Sequence, residues 1–335
     1  MKDPAVTLAA LFLVALTALL PLELSSAAGE ELRGPPFSSP TSRQEMDREW
    51  VEQPIRHEPS ARQADLVIAL DQHLYPALRL LIEKYGRENG LRIEISEGTC
   101  GISAGKLAKK AVDMAGFCCP PGTTDRLPGL AFHTLGIVPV ALLVHRDNPL
   151  ADITLEQARA IFQGHIQNWG EVTDANGTRG PNLPILPLGR LHCKLRPGHW
   201  RLLLADEDLF SPHLMEVGTI DDMIAGVANN PAAIGYEALR MVERHPAGSG
   251  VKPLRLDGRS PADGISGPAG RYPIYRVLSI TTWEGEATRN PAARKLAAYL
   301  QSESSNFAAI PGFTPATGLR QTGWRFDGDE LVGEP

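Results

Sequence analysis

Asp65-Leu-Val-Ile-Ala-Leu70, running through Asp71-Gln72-His73 into Leu74 to Gly86 and on to Arg92-Ile-Glu-Ile95, decides the fold class. The first run has the length and apolar content of a buried strand. Leu74, Leu78, Leu81, Ile82 and Tyr85 then recur at helical spacing, and residues 92–95 alternate as a half-buried strand does. The pattern repeats outward: a loop over 98–103, a helix over 104–110, and a strand over Val112-Asp113-Met114-Ala115-Gly116. Strands alternating with helices imply right-handed crossovers and an α/β sheet covered on both faces.

Further along, Leu135 to His145 is an apolar stretch long enough to cross between two domains. Ile153 to Phe162 is helical, with Thr154 as N-cap and Glu156-Gln157 in its first turn. Pro184 to Leu188 leads into Gly189-Arg190, and Trp200 to Leu204 reads as a short helix. Thr219 caps a segment whose Asp221 and Asp222 favour a helix N-terminus. Ala232 to Tyr236 and Tyr272 to Thr281 read as strands, 246–271 as loop, and Pro291 to Leu300 as an amphipathic helix. No internal repeat is present.

Composition and length bound the rest. At 335 residues, 43% hydrophobic and 21% charged, the chain has material for about two domains. A net charge of -6 argues against a general nucleic-acid binder, which needs excess Lys and Arg for phosphates. Lys2, the apolar run Ala5 to Leu20 and the small residues Ser26-Ala27-Ala28 read as a signal peptide over 1–28, cleaved near Ala28. Residues 29–63, rich in Pro, Ser, Arg and Glu, read as a flexible linker, although Trp50-Val51 could dock.

The motif order then resembles the periplasmic phosphate-binding proteins of ABC transporters and their solute-binding relatives. The residues that carry the resemblance are Ile153-Thr-Leu-Glu-Gln-Ala-Arg-Ala-Ile-Phe-Gln-Gly-His-Ile-Gln-Asn-Trp169, Val112-Asp113-Met-Ala-Gly, Val227 to Tyr236, Arg271-Tyr-Pro-Ile-Tyr-Arg276 and Ala308 to Phe313. They span roughly 64–324. The resemblance implies an α/β, two-lobed periplasmic-binding-protein fold of type II with a ligand cleft between the lobes. Lobe 1 would comprise 64–140 plus 241–325, and lobe 2 would comprise 141–240.

The resemblance also implies site residues, position by position. Asp71-Gln72-His73 stands where the family carries a hydroxyl-bearing first loop, which makes Gln72 and His73 candidates. Thr99, Cys100 and Gly101 occupy the second loop. Asp113 matches the acid-bearing strand, Cys118-Cys119 replaces the polar residues after it, and Arg190 opens the third loop. Between Arg190 and Trp200 the Ser-Gly-Thr phosphate cup is missing; His192, Cys193, Lys194 and Arg196 stand there instead. Each hydroxyl hydrogen bond lost to an anion removes about 1 kcal/mol or more, so tight phosphate binding is not the expectation.

All four cysteines therefore fall on loops that the family gathers at one cleft. Thiolates select soft ions, so Cys100, Cys118, Cys119 and Cys193 form a candidate thiophilic metal or metalloid site. An even cysteine count in an exported chain equally allows two disulfides, and inert thiols are a third reading. The function expected is an exported solute-binding protein, monomeric and without cofactor or catalysis. It would capture a small inorganic ion, a phosphate-like oxyanion or a thiophilic one, for an ABC transporter permease or a sensor. The rivals are a thiol–disulfide oxidoreductase using Cys118-Cys119 and a sensory or assembly module of the same fold that has no ligand.

Overall fold

The computed structural model describes residues 39–191, 203–204, 207–268 and 270–335. The expected signal peptide, the start of the linker, and His192, Cys193, Lys194, Arg196 and Trp200 lie outside the described residues. A short helix α1 (Arg48–Glu52) precedes β1 (Leu66–Asp71), α2 (Tyr75–Asn89), β2 (Ile93–Gly98), α3 (Cys100–Ala108), β3 (Met114–Phe117) and β4 (Leu130–Pro139). The chain then enters a second lobe with β5 (Ala141–His145), β6 (Asp152–Ile153), α4 (Leu155–Gln163) and β7 (Leu186–Gly189). That lobe continues through β8 (Met215–Glu216), α5 (Ile220–Ala228), β9 (Ala233–Glu237), α6 (Leu239–Arg244), β10 (Val251–Pro253) and β11 (Arg255–Leu256). Returning, the chain forms β12 (Tyr275–Trp283), α7 (Pro291–Glu303), β13 (Thr314–Pro315), α8 (Ala316–Gln321) and the hairpin β14 (Arg325–Asp327) and β15 (Glu330–Gly333).

The two large sheets among the described residues are ordered β13-β4-β12-β3-β1-β2 and β10-β5-β9-β7-β8, and β11-β6 and β14-β15 form two-stranded ones. Every residue of β1 is buried because β1 is central, parallel to β2 on one side and β3 on the other, with helices covering both faces. The two crossings between lobes run side by side: Val140 N–H donates to Ile274 O at 3.0 Å, where β4 gives way to β5 and the return strand begins. The long apolar run over 135–145 thus crosses between lobes as expected, broken at Val140. Each lobe has its own hydrophobic core, one around Ile68, Leu78 and Trp283, the other around Phe162, Trp169 and Tyr236.

Three expectations are corrected in position. The loop expected over 98–103 is already helix from Cys100, because the Thr99 hydroxyl accepts from Ile102 N–H and starts α3 there. The second lobe extends past residue 240, since β10 pairs with β5 and β11 with β6. The segment expected to be a flexible linker docks on lobe 1 from Gln44 onward, where Gln44 N–H donates to Arg126 O. Trp50 packs 6.1 Å from the Trp283 ring and donates through Nε1 to Ala108 O, and Lys110 Nζ donates to Val51 O and Gln53 O. Met46, Trp50 and Ile55 anchor the segment on the lobe 1 core, three apolar side chains that an average over a polar stretch conceals.

Candidate functional site

Parallel strands leave an open crevice beyond their carboxyl ends, and that is where this chain gathers its buried charge. Asp71 closes β1, Gln72 and His73 follow it, and Cys118-Cys119 follow β3. Cys100 lies in the first turn of α3, just beyond β2. From the second lobe come Arg190, immediately after β7, and Tyr236-Glu237 at the end of β9. Arg276 enters from β12, which runs antiparallel to β3 and so begins at the same end of the sheet. Asp71, His73, Cys100, Cys118, Cys119, Arg190, Glu237 and Arg276 are all at most 6% exposed.

Glu237 is the centre of this cluster and is fully buried. Its Oε1 accepts from His73 Nε2 at 2.8 Å, from Arg276 Nη2 at 3.0 Å and from Ala238 N–H at 2.8 Å; Oε2 accepts from Arg190 Nη1 at 3.2 Å. Arg190 also donates through Nη2 to Gln72 Oε1 at 3.2 Å and through its backbone N–H to the Tyr236 hydroxyl at 2.8 Å. Burial alone would raise the Glu237 carboxyl, but Arg276, then His73 and Arg190, outweigh it and hold the group well below the usual carboxylate range. Burial pushes the Tyr236 phenol up to about 12, which keeps it neutral.

His73 faces carboxylates at both ring nitrogens, Asp71 Oδ2 lying 3.2 Å from Nδ1. Only the doubly protonated imidazolium donates from both. Burial and Arg276 pull its pKa down, yet Glu237 and Asp71 prevail and raise it. Three cations (His73, Arg190, Arg276) therefore face two carboxylates (Asp71, Glu237), and one positive charge is in excess.

The sulfurs adjoin this network. Cys118 Sγ lies 3.6 Å from Cys100 Sγ and 3.9 Å from Cys119 Sγ, and it accepts from Arg276 Nη1 at 3.6 Å. Cys100 Sγ donates to Asp71 Oδ2 at 3.7 Å. These separations exceed a sulfur–sulfur bond of about 2.05 Å, so Cys118 is bonded to neither Cys100 nor Cys119. The contact with Cys100, then burial and the Asp71 carboxylate, push the Cys118 thiol well above its ordinary range against an opposing contact with Cys119. A cleft of about 770 Å³ meets the cluster at Gln72 and is lined further by Tyr75 and Glu97 from lobe 1 and by Thr219, Asp221 and His245 from lobe 2.

Of the candidates read from sequence, the structure gathers Gln72, His73, Cys100, Cys118, Cys119 and Arg190. Thr99 and Gly101 are next to the cluster, Thr99 with its hydroxyl committed to capping α3 and Gly101 exposed on the first turn. Asp113 is corrected: it precedes β3, at the opposite end from the cleft. Its carboxylate accepts from His57 Nε2, Val67 N–H and Asn290 Nδ2, which ties the docked segment, β1 and α7 together. Cys193 and Lys194 lie outside the described residues. Sequence reasoning gave no role to Asp71, Tyr236, Glu237 or Arg276. A charge at the end of an otherwise apolar strand, as in Tyr236-Glu237, was the available signal.

Two α/β lobes with buried charge at the strand ends between them make a two-lobed periplasmic-binding-protein fold. Residues 56–192 match the model of a PBP superfamily domain. The fold is shared with an ABC-type phosphate transport receptor from Vibrio cholerae (TM-score 0.57, 20% identity, covering 74% of this chain and 98% of that one). It is shared also with a putative phosphate ABC transporter substrate-binding protein with bound phosphate from Clostridium perfringens (TM-score 0.62, 16% identity, covering 75% and 98%).

Proposed function

We propose that this chain is an exported solute-binding protein that takes a small inorganic ion between its lobes and presents it to an ABC transporter permease or a sensor. The observation that carries this reading is the convergence of six strand ends, from both lobes, on one buried charged cluster that meets an open cleft at Gln72. Such a cluster adds little to stability, because desolvating five charges offsets most of their attraction. A cluster that joins two lobes across a hinge does give a ligand something to reorganise. The resemblance to phosphate-binding proteins favours the same role, and the bound phosphate named for the Clostridium perfringens structure makes an oxyanion one arm of the test.

Catalysis by the thiols is disfavoured. A nucleophilic cysteine needs a lowered pKa and access to substrate, whereas Cys118 is buried and its pKa raised. The reading without a ligand draws on one specific observation: the Glu237 carboxylate already takes hydrogen bonds from both arginines and His73, as a bound anion would.

A thermal-shift panel of phosphate, arsenate, molybdate, arsenite, zinc and copper(I), run with thiols reduced, separates these readings. At one hundred times its dissociation constant a ligand adds about 2.7 kcal/mol, a rise of about 5–10 °C for lobes of this size. We expect at least one ion to produce that rise and Arg190→Ala to diminish it. If no ion in the panel shifts the transition, the solute-binding reading is overturned and the ligand-free module takes its place.

A further inference from the structure

We propose that Asp71, Cys100 and Cys118, with Cys119 beside them, form a binding site for a soft d10 cation such as copper(I) or zinc(II). This deepens the solute-binding reading and rests on it. Asp71 Oδ2, Cys100 Sγ and Cys118 Sγ all lie within 4.8 Å of one another, and all three residues are buried.

The spacing fits a coordination shell. Zinc–sulfur bonds of about 2.3 Å at tetrahedral angles put two sulfurs about 3.8 Å apart, and an oxygen ligand at about 2.0 Å falls roughly 3.5 Å from each sulfur. The structure has 3.6 Å between Cys100 and Cys118 and 3.7 Å between Cys100 Sγ and Asp71 Oδ2. The sulfurs come from separate elements, Cys100 from the start of α3 and Cys118 from the end of β3, so two rigid supports hold them. Cys119 Sγ, 3.9 Å from Cys118 Sγ, is adjacent in sequence and serves best as a third vertex.

Charge supports the same assignment. Arg276 Nη1 already points at Cys118 Sγ, so a guanidinium faces the sulfurs. Copper(I) on two thiolates carries a net charge of minus one, opposite in sign to that guanidinium. Zinc(II) on three thiolates carries the same charge. Softness then selects the ion: two or three sulfurs favour copper(I) and zinc over magnesium or calcium, which take oxygen ligands. Binding displaces the thiol protons, about two per ion for a two-thiolate site. Asp71 adjoins the His73–Glu237 contact between the lobes, so an ion enters when the lobes part and is enclosed when His73 meets Glu237.

The full-length chain, reduced and kept anaerobic, is titrated separately with zinc and with copper(I) against a competing chelator. Stoichiometry is read by native mass spectrometry and proton release in weak buffer. We expect one ion per chain, with about two protons released by copper(I) and about three by zinc, and with affinity lowered at least tenfold in Cys100→Ser, Cys118→Ser and Asp71→Asn variants that retain the parent circular dichroism. The folded native chain decides the matter if a variant does not fold: no uptake of either ion overturns the site. Uptake that Cys118→Ser leaves unchanged overturns it equally. If phosphate or arsenate stabilises the chain while neither cation binds, the metal site falls and the solute-binding reading stands. If no ion of either sign binds, both fall.

Discussion

Glu237 holds three cationic side chains in a region that water does not reach, and its charge is what makes their burial tolerable. Glu237→Gln keeps the shape and removes the charge, leaving Arg190, Arg276 and His73 without a full counter-ion. Breaking a buried ion network from one side costs about 3–5 kcal/mol, so we expect a fall of that size in chemical denaturation. Glu237→Ala also vacates the space, and added phosphate or sulfate should stabilise that variant more than the parent. Equal stabilisation of both would show that the carboxylate does not stand in for an anion. The same residues set a pH dependence. Glu237, held below its ordinary value of 4.5, contributes in full above that value and loses its contribution as pH falls through the lowered folded pKa. His73, raised above its ordinary 6.5, contributes in full below that value and loses its contribution as pH rises through the raised folded pKa. Denaturation midpoints should therefore be highest between about pH 4.5 and 6.5 and decline on the alkaline side. His73→Gln should flatten that decline, and a parent chain that gains stability from pH 6.5 to 9 would contradict the argument.

At the scale of elements, two local devices position the cluster and can be tested apart from it. The Thr99 hydroxyl caps α3 and so sets where Cys100 emerges; Thr99→Ala should cost about 1 kcal/mol in the denaturation midpoint. Trp50 fixes the docked N-terminal segment, with its ring 4.2 Å from Lys110 Nζ and stacked near Trp283. Trp50→Ala should lower stability by about 2 kcal/mol, less than for a fully buried tryptophan because Trp50 is half-buried. Proteolysis within residues 44–60 should rise in the same variant, and an unchanged cleavage rate would mean that the segment is held by other contacts. Periodicity made most elements legible: β1, α2, α4 with its Thr154 cap, α5 with its Thr219 cap, β9 and α7 lie where apolar spacing and capping residues place them. What sequence did not disclose depends on distance in space rather than along the chain. Glu237 and His73 are 164 residues apart, and Arg276 meets Cys118 across 158. No local pattern records such pairs. Cys100, Cys118 and Arg190 were recognisable as cleft residues only through the motif resemblance, and Asp113 was misplaced because its strand is right and its end of the strand is not.

For the whole molecule the question is which state of the hinge these interactions favour. Gln72 and His73 belong to the first lobe, Arg190 and Glu237 to the second, and their hydrogen bonds join the lobes directly. Arg240 adds a further crossing, donating through Nη2 to Pro76 O at 3.3 Å. Among the described residues the two side-by-side crossings at Val140 and Ile274 connect the lobes. The protein's own carboxylate thus performs the bridging that a ligand performs in a hinge-closing receptor, and the ligand-free chain should rest closed. Small-angle scattering at pH 6 should give a radius of gyration near that of a compact chain, about 19 Å for about 300 residues, once allowance is made for residues outside the described part. Glu237→Gln should raise the value, because it weakens the His73 and Arg190 contacts together while leaving both lobes folded. Raising the pH through the His73 transition should open the parent in the same direction, since the neutral ring can donate to only one of its two carboxylates. If the parent and Glu237→Gln give superimposable scattering across that range, the cluster belongs to the packing of a rigid molecule, and closure has to be assigned to the apolar contacts around Met241, which touches both cores.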